Sequence, residues 1–247
     1  SGVGKTRLAI EAAKMSSQAY KDGVYFIPLA SISTPENISH EIAERILGPS
    51  YEGADHRQRL LTYLQDKCAL LILDNFEHLL DGSDLVTRLL DAAPRLQILV
   101  TSRERLRLQA EQVYPIHGLS LDGTAEMDDA RALFIQAVRR LRPDFRVTAE
   151  DQSFLNQICQ LTEGMPLALE LAAAWVDLLT PAEIAAEIQR NLDFLESDLR
   201  DMPSRHRSMR AVFDTSWQQL SESERQLLAQ ISIFRGGFTR EAVTAVT

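Results

Sequence analysis

The stretch "CALLILD", residues 68–74, decides the fold of this chain. It is an almost continuous apolar run that ends in an acid, a pattern typical of strands buried on both faces of a parallel sheet. Two similar runs, VYFIPLA at 24–30 and LQILVTS at 96–102, are separated from it by helical patterns. Strands that alternate with helices predict a parallel α/β sheet in three layers.

The rest of the chain reads mainly as helices. In the first part we predict helices over 5–20, 35–48, 56–66 and 85–93, and an edge strand over 113–119, where Pro115 has no N–H to donate. Beyond about residue 120 we predict helices over 126–141, 150–162, 166–179, 181–189, 209–220, 221–234 and from 239. Ser221 and Glu224 have the spacing of a capping box. We therefore expect domains over 1–120, 121–200 and 201–247.

Composition excludes several classes of function. The 247 residues include 35 acidic and 26 basic ones, for a formal charge of −9, which argues against direct nucleic-acid binding by this chain. No apolar run is long enough to span a membrane. The two cysteines, Cys68 and Cys159, lack metal-ligand spacing, which favours a reduced, cytoplasmic location. Since the chain begins with Ser1, we expect it to be a piece of a longer protein.

The first residues, SGVGKTRLA at 1–9, contain the last six positions of the phosphate-binding pattern G-x-x-x-x-G-K-[ST]. We expect the strand before it and its first glycine to lie upstream of Ser1. In such a loop the glycines let backbone N–H groups surround phosphate oxygens, Lys5 binds the β- and γ-phosphates, and the Thr6 hydroxyl binds Mg²⁺. The alternative is an ordinary glycine-rich turn before a helix.

Two later residues follow buried strands. Asp74 ends its strand at the sheet edge where ligands bind in open α/β folds, and it is a second candidate ligand for Mg²⁺. Its alternative role is to cap the following helix. Arg103 follows the next strand, where it is a candidate contact for a γ-phosphate or else a solvated side chain. Three such features in this order indicate a nucleotide site.

The chain resembles the STAND class of signalling P-loop ATPases, and more narrowly the bacterial NB-ARC-like modules of large transcriptional regulators. The resemblance covers almost the whole sequence. It is carried by SGVGKTRLA, LLILDNFEHLL, ILVTSRERL, EGMPLALELAAA and the segment 205–239. It implies a P-loop nucleotide-binding α/β domain, a helical domain and the start of a winged-helix domain that serves as an intramolecular lid.

The resemblance also implies roles for particular residues. Pro166 of the Gly-x-Pro motif would pack near the adenine, with Gly164 allowing the approach. The alternative is that Pro166 simply begins a helix after a glycine turn. Arg103 would sense the γ-phosphate. The implied nucleotide-binding residues are Gly2, Val3, Gly4, Lys5, Thr6, Arg7 and Pro166.

The chain departs from the family pattern at Asn75, where a second acid often follows the strand-end aspartate. Glu77 is the nearest carboxylate and the candidate to orient water, so we expect slow hydrolysis. The family's late histidine contact to ADP has no counterpart within the chain. We predict that His206 and the basic cluster Arg205–Arg210 are exposed.

The resulting hypothesis is an ATP/ADP-controlled switch with slow Mg²⁺-dependent ATPase activity. Its partners would be effector and sensor domains beyond this chain, with homo-oligomers forming on activation. One alternative is a nucleotide-independent scaffold with a degenerate site, which Asn75 keeps open. Another is a small-molecule kinase or motor ATPase, against which no acceptor-substrate lid is recognisable.

Overall fold

The computed structural model describes residues 2–48, 56–121, 129–196, 207–218, 220–234 and 238–246. The chain divides into two compact units. One is Gly4–Ile116, and the other combines Ser1–Val3 with His117–Thr247. We call them the α/β unit and the helical unit, and each is described by itself.

The α/β unit has a three-stranded parallel sheet in the order β1-β2-β3. Its elements are α1 (Lys5–Ser16), β1 (Val24–Pro28), α2 (Ile38–Leu47), α3 (His56–Leu64), β2 (Leu70–Asp74), α4 (Asp84–Ala92) and β3 (Gln97–Val100). Every residue of β2 is buried, as its apolar sequence predicts for the central strand. The register pairs Leu73 with Val100 and Pro28 with Asp74, so the carboxyl ends of the three strands lie at one edge.

Alternate residues of β2 pack against different helices. Leu70 and Ile72 share a cluster with Ala9 and Ala13 of α1. The side chains between them, at Leu71 and Leu73, point to the opposite face and join the larger cluster formed with α2, α3 and α4. Helices therefore cover both faces of the sheet, which confirms the predicted three-layer α/β arrangement.

The helical unit contains α5 (Asp129–Leu141), α6 (Asp151–Leu161), α7 (Pro166–Ala173), α8 (Pro181–Arg190), α9 (Met209–Gln218), α10 (Glu222–Ile231) and α11 (Arg240–Val246). The helices α5 to α8 enclose one apolar core, to which α9 contributes Val212. The neighbouring side chain of α9, Phe213, is 54% exposed. The bounds of a separate third domain remain a prediction.

Two helices of this unit begin with reciprocal capping boxes. The predicted box at Ser221 and Glu224 is confirmed at the start of α10. The same arrangement links Thr180 and Glu183 at the start of α8. The backbone N–H of Thr180, followed by its hydroxyl, lowers the pKa of the Glu183 carboxyl because both donate to the charged form. These contacts satisfy N–H groups that would otherwise lack partners at a helix start.

The predicted edge strand at 113–119 is wrong, since these residues form no strand. Pro115 has no N–H for a ladder, and the Tyr114 side chain beside it is 81% exposed. The N–H of Leu119 instead donates to the carbonyl of Gly164 at 2.8 Å, within the helical unit.

The other predicted elements are found within a few residues of their expected bounds, except that the helix expected over 166–179 changes after Ala173 to a 3₁₀ turn, Ala174–Asp177. Residues 126–128, Arg205 and His206 lie outside the described residues. Among the described helices, none combines the length and apolar character needed to cross a membrane.

Candidate functional site

The first helix of the α/β unit begins at the glycine-lysine-threonine sequence. Gly4 precedes α1 with φ 88°, a left-handed conformation that glycine adopts without steric cost. Lys5, Thr6 and Arg7 then form the first turn, where backbone N–H groups have no partner within the helix. No acidic residue occupies that turn. The helix start therefore presents positive character, which suits an anion.

Thr6 and Asp74, the two predicted magnesium ligands, lie in direct contact. The Thr6 hydroxyl donates to Oδ1 of Asp74 at 2.6 Å, although the residues are 68 positions apart in sequence. Asp74 is only 5% exposed, at the end of β2. The helix start and the carboxyl edge of the sheet are thus joined by a hydroxyl and a carboxylate, the oxygen ligands that suit Mg²⁺.

A further residue of this site, Thr101, was not predicted. Its hydroxyl donates to the same Oδ1 of Asp74 at 2.6 Å and accepts from the backbone N–H of Asn75 at 3.0 Å. The signal was present in the sequence, because Thr101 is the first polar residue after the apolar run of β3. Since Leu73 pairs with Val100, the next residues of the two strands, Asp74 and Thr101, are level with each other.

We expect Thr101→Val to reduce the free energy of unfolding by about 1–3 kcal/mol, because it leaves the half-buried N–H of Asn75 unsatisfied and takes a donor from Asp74. Urea unfolding measures this loss. Thr101→Ser is the matched control, since it keeps the hydroxyl, and its loss should be smaller. A valine variant as stable as the wild type would show that these hydrogen bonds do not hold the sheet edge together.

Glu77 and Arg103, the predicted water-orienting and phosphate-sensing residues, form an ion pair. Arg103 Nε lies 3.1 Å from Oε1 of Glu77, and their side chains are 22% and 6% exposed. Glu77 belongs to a short 3₁₀ turn, Phe76–His78, directly after β2. Its second carboxylate oxygen, Oε2, is buried and has no hydrogen-bond partner among the described residues. The structure therefore brings these two predicted residues together, with one polar atom left unsatisfied.

Lys5 lies within electrostatic range of this pair. Burial lowers the pKa of the Lys5 ammonium below its ordinary value. The carboxylate of Glu77 opposes this shift most strongly, Arg103 adds to it, and Asp74 opposes it more weakly. Three of the predicted catalytic residues therefore act on the charge of the fourth, Lys5.

Asn75, the residue at the position of the missing second acid, has a left-handed backbone with φ 68°. Asparagine tolerates this conformation better than most residues. Its side-chain amide lies 3.4 Å from Nδ1 of His78, whose Nε2 lies 2.8 Å from the carbonyl oxygen of Ile32. Asn75 therefore belongs to a turn. Its left-handed backbone is a physical reason for an asparagine at this position.

The remaining predicted residues belong to the helical unit. Pro166 is the first residue of α7, as the turn-and-helix alternative predicts. The next N–H in this helix, from Leu167, donates to the carbonyl of Gly2 at 3.2 Å. Gly2 has φ 83°, and an added Cβ there would lie 3.3 Å from the Met165 sulfur. The structure therefore places Gly2 beside the Gly-x-Pro motif, while Val3 is half-buried.

Gly164 has a structural role that the sequence did not predict. It follows Glu163 in a left-handed turn, with φ values of 52° and 64°. A Cβ on Gly164 would lie 2.2 Å from the carbonyl oxygen of Leu119, and one on Gly118 would lie 2.2 Å from that of Glu163. Two backbone segments cross here so closely that neither glycine position has room for a side chain.

Comparison with known proteins adds relatives but no family, since no family model matches the chain. The fold and site define an α/β chain with an oxygen-rich strand-end cluster. Proteins of Mycobacterium bovis and Mycobacterium tuberculosis, each named "Putative HTH-type transcriptional regulator", are 36% identical over 247 residues, covering 99% of this chain and 27% of theirs. An "Uncharacterized protein" of Mycobacterium tuberculosis is 32% identical over 246 residues, covering 61% of its length. The chain thus spans only part of the curated relatives it matches.

Proposed function

We propose that this chain is the nucleotide-binding switch of a signalling protein, a STAND-class module that binds ATP and ADP and hydrolyses ATP slowly. The observation that carries the proposal is the 2.6 Å contact between the Thr6 hydroxyl and Asp74. This contact links the glycine-lysine-threonine sequence to the strand-end aspartate, the two parts of the site that motif spacing predicts. The left-handed Gly4 and the helix start at Lys5 support an anion beside that contact.

The residues present fit a magnesium–nucleotide complex. Thr6 and Asp74 would hold Mg²⁺, Lys5 would bind phosphate, and Gly2, Val3, Gly4 and Arg7 would contribute the surrounding loop. The unsatisfied Oε2 of Glu77 is a buried acceptor close to these groups, suited to orienting a water molecule. When bound, the metal neutralises phosphate charge and orients the phosphate groups.

The switch would act on effector and sensor domains elsewhere in the protein. Because nucleotides shift a conformational equilibrium only through differential affinity, ATP and ADP must favour different arrangements, with oligomers forming in one of them. The names of the relatives suggest that the regulated process is transcription. The segment 201–247 would begin a winged-helix lid, and Pro166 would lie near the adenine. A cytoplasmic location belongs to the same proposal.

One observation favours a second candidate, a nucleotide-independent scaffold. The site holds Asn75 where a second acid would stand, and Glu77 is already paired with Arg103. A site that has lost nucleotide binding would retain such internal contacts as structure.

Turnover separates these functions. We expect ATP hydrolysis with Mg²⁺ below about 0.01 per second, compared with roughly 1–100 per second for kinases. The physical reason is that Asn75 occupies the position where a second acid would follow the strand-end aspartate, which leaves the more distant Glu77 to orient water. The rate is measured by phosphate release under saturating ATP. Fast turnover would favour a motor ATPase or kinase, and absence of nucleotide binding would favour the scaffold.

A further inference from the structure

The Glu77–Arg103 ion pair joins two groups to which the proposed function gives separate tasks. Arg103 Nε and Glu77 Oε1 are 3.1 Å apart, and Glu77 is 6% exposed. A pair this buried is less screened than a surface pair, so its opposite charges are strongly coupled. While the pair is formed, the guanidinium of Arg103 is already engaged by a carboxylate.

We infer that this ion pair is a latch: Glu77 competes with the terminal phosphate of ATP for Arg103. The inference rests on the proposed function and adds regulation of the same site. ADP lacks the γ-phosphate and leaves the latch closed. ATP offers an alternative anion, so Arg103 changes partner and Glu77 becomes available.

The geometry suits an exchange of partners. The ion pair runs through Nε of Arg103 to one oxygen of Glu77, and the second oxygen of Glu77 has no hydrogen-bond partner among the described residues. A buried acceptor left unsatisfied costs free energy, so the closed latch is incompletely compensated. A phosphoryl group carries three strong acceptor oxygens and forms bidentate contacts with arginine, so it is a competent rival for the guanidinium.

Lys5 provides a second cation near the pair. Glu77 and Arg103 act on its charge in opposite directions, and Asp74 acts on it more weakly. Lys5 and Arg103 would both attract an anion bound near Lys5, against repulsion from the carboxylates of Glu77 and Asp74. The latch links occupation of the phosphate site to the release of Glu77.

The test is the affinity for ATP and for ADP, each measured by calorimetry with Mg²⁺. If the latch engages Arg103 in nine-tenths of molecules, Glu77→Gln raises the ATP affinity roughly ten-fold, because the competing charge is gone. The affinity for ADP is expected to stay within about two-fold. Combining Glu77→Gln with Arg103→Gln abolishes the gain, since the gain requires the arginine.

The chain offers a closely matched control. Arg45 Nε lies 3.1 Å from Oε1 of Glu41, the same atoms at the same distance, but the arginine is 49% exposed. Glu41→Gln is therefore expected to leave both affinities unchanged, as surface pairs contribute little. Thermal unfolding of each variant shows that the folded protein is being compared.

Two results overturn the latch and are distinguishable. If the wild type binds both nucleotides and Glu77→Gln changes neither affinity, or changes both equally, the latch is wrong and the nucleotide switch stands. If the wild type binds neither nucleotide, the proposed function fails and the latch fails with it.

Discussion

Replacing Lys5 with alanine is expected to weaken ATP binding by about 100-fold, the equivalent of about 2.7 kcal/mol. Hydrogen bonds to charged groups contribute roughly 1.5–3 kcal/mol each, and in the proposed site the Lys5 amine binds phosphate. Burial lowers the pKa of Lys5, because the ammonium loses contact with water in the folded protein. A bound anion would stabilise this charge. Titration with a fluorescent ATP analogue measures the affinity.

The matched control is Lys14→Ala on the same helix. Lys14 pairs with Glu11 at 2.8 Å, and its side chain is 65% exposed. The two variants lose the same charge from α1, so net charge cannot account for a difference between them. Equal affinities in the Lys5 and Lys14 variants would contradict the assignment of Lys5 to the phosphate site.

Gly164→Ala is expected to lower the free energy of unfolding of the nucleotide-free protein by about 2–4 kcal/mol. A left-handed backbone costs a non-glycine residue roughly 1–2 kcal/mol. The new Cβ would also meet the Leu119 carbonyl oxygen at 2.2 Å, so the crossing must open and its 2.8 Å hydrogen bond is lost. Chemical denaturation without nucleotide measures the effect.

Glu163→Ala is the control, in the same turn. Its backbone is also left-handed, with φ 52°, but a Cβ is already present there. Its effect on stability is expected to stay within about 0.5 kcal/mol. A Gly164→Ala variant of unchanged stability but weakened nucleotide binding would restore the other interpretation, in which this glycine only admits the adenine.

The sequence predicted the features that depend on apolar periodicity and on the residues at strand ends. Apolar runs located the three strands, and the rule that ligands bind at the carboxyl edge of a parallel sheet predicted that Thr6 and Asp74 share one site. Capping chemistry placed the start of α10 because Ser221 and Glu224 satisfy each other's backbone locally.

The sequence did not predict features that depend on register or on distant backbone. Thr101 was missed because its role follows from its alignment with Asp74 across two strands. The Glu77–Arg103 pair was missed because each residue had been assigned a ligand, not a partner within the protein. The 113–119 strand was wrong because the backbone donor at Leu119 is used by Gly164, which lies far along the chain.

The central claim is that this site binds a nucleotide. The most direct measurement is to denature the purified protein and identify any released nucleotide by chromatography. The account predicts stoichiometric ADP from the wild type and none from Lys5→Ala. No nucleotide in either preparation, together with no binding of added ATP and Mg²⁺, would contradict it and leave the motifs as the structural remains of a scaffold.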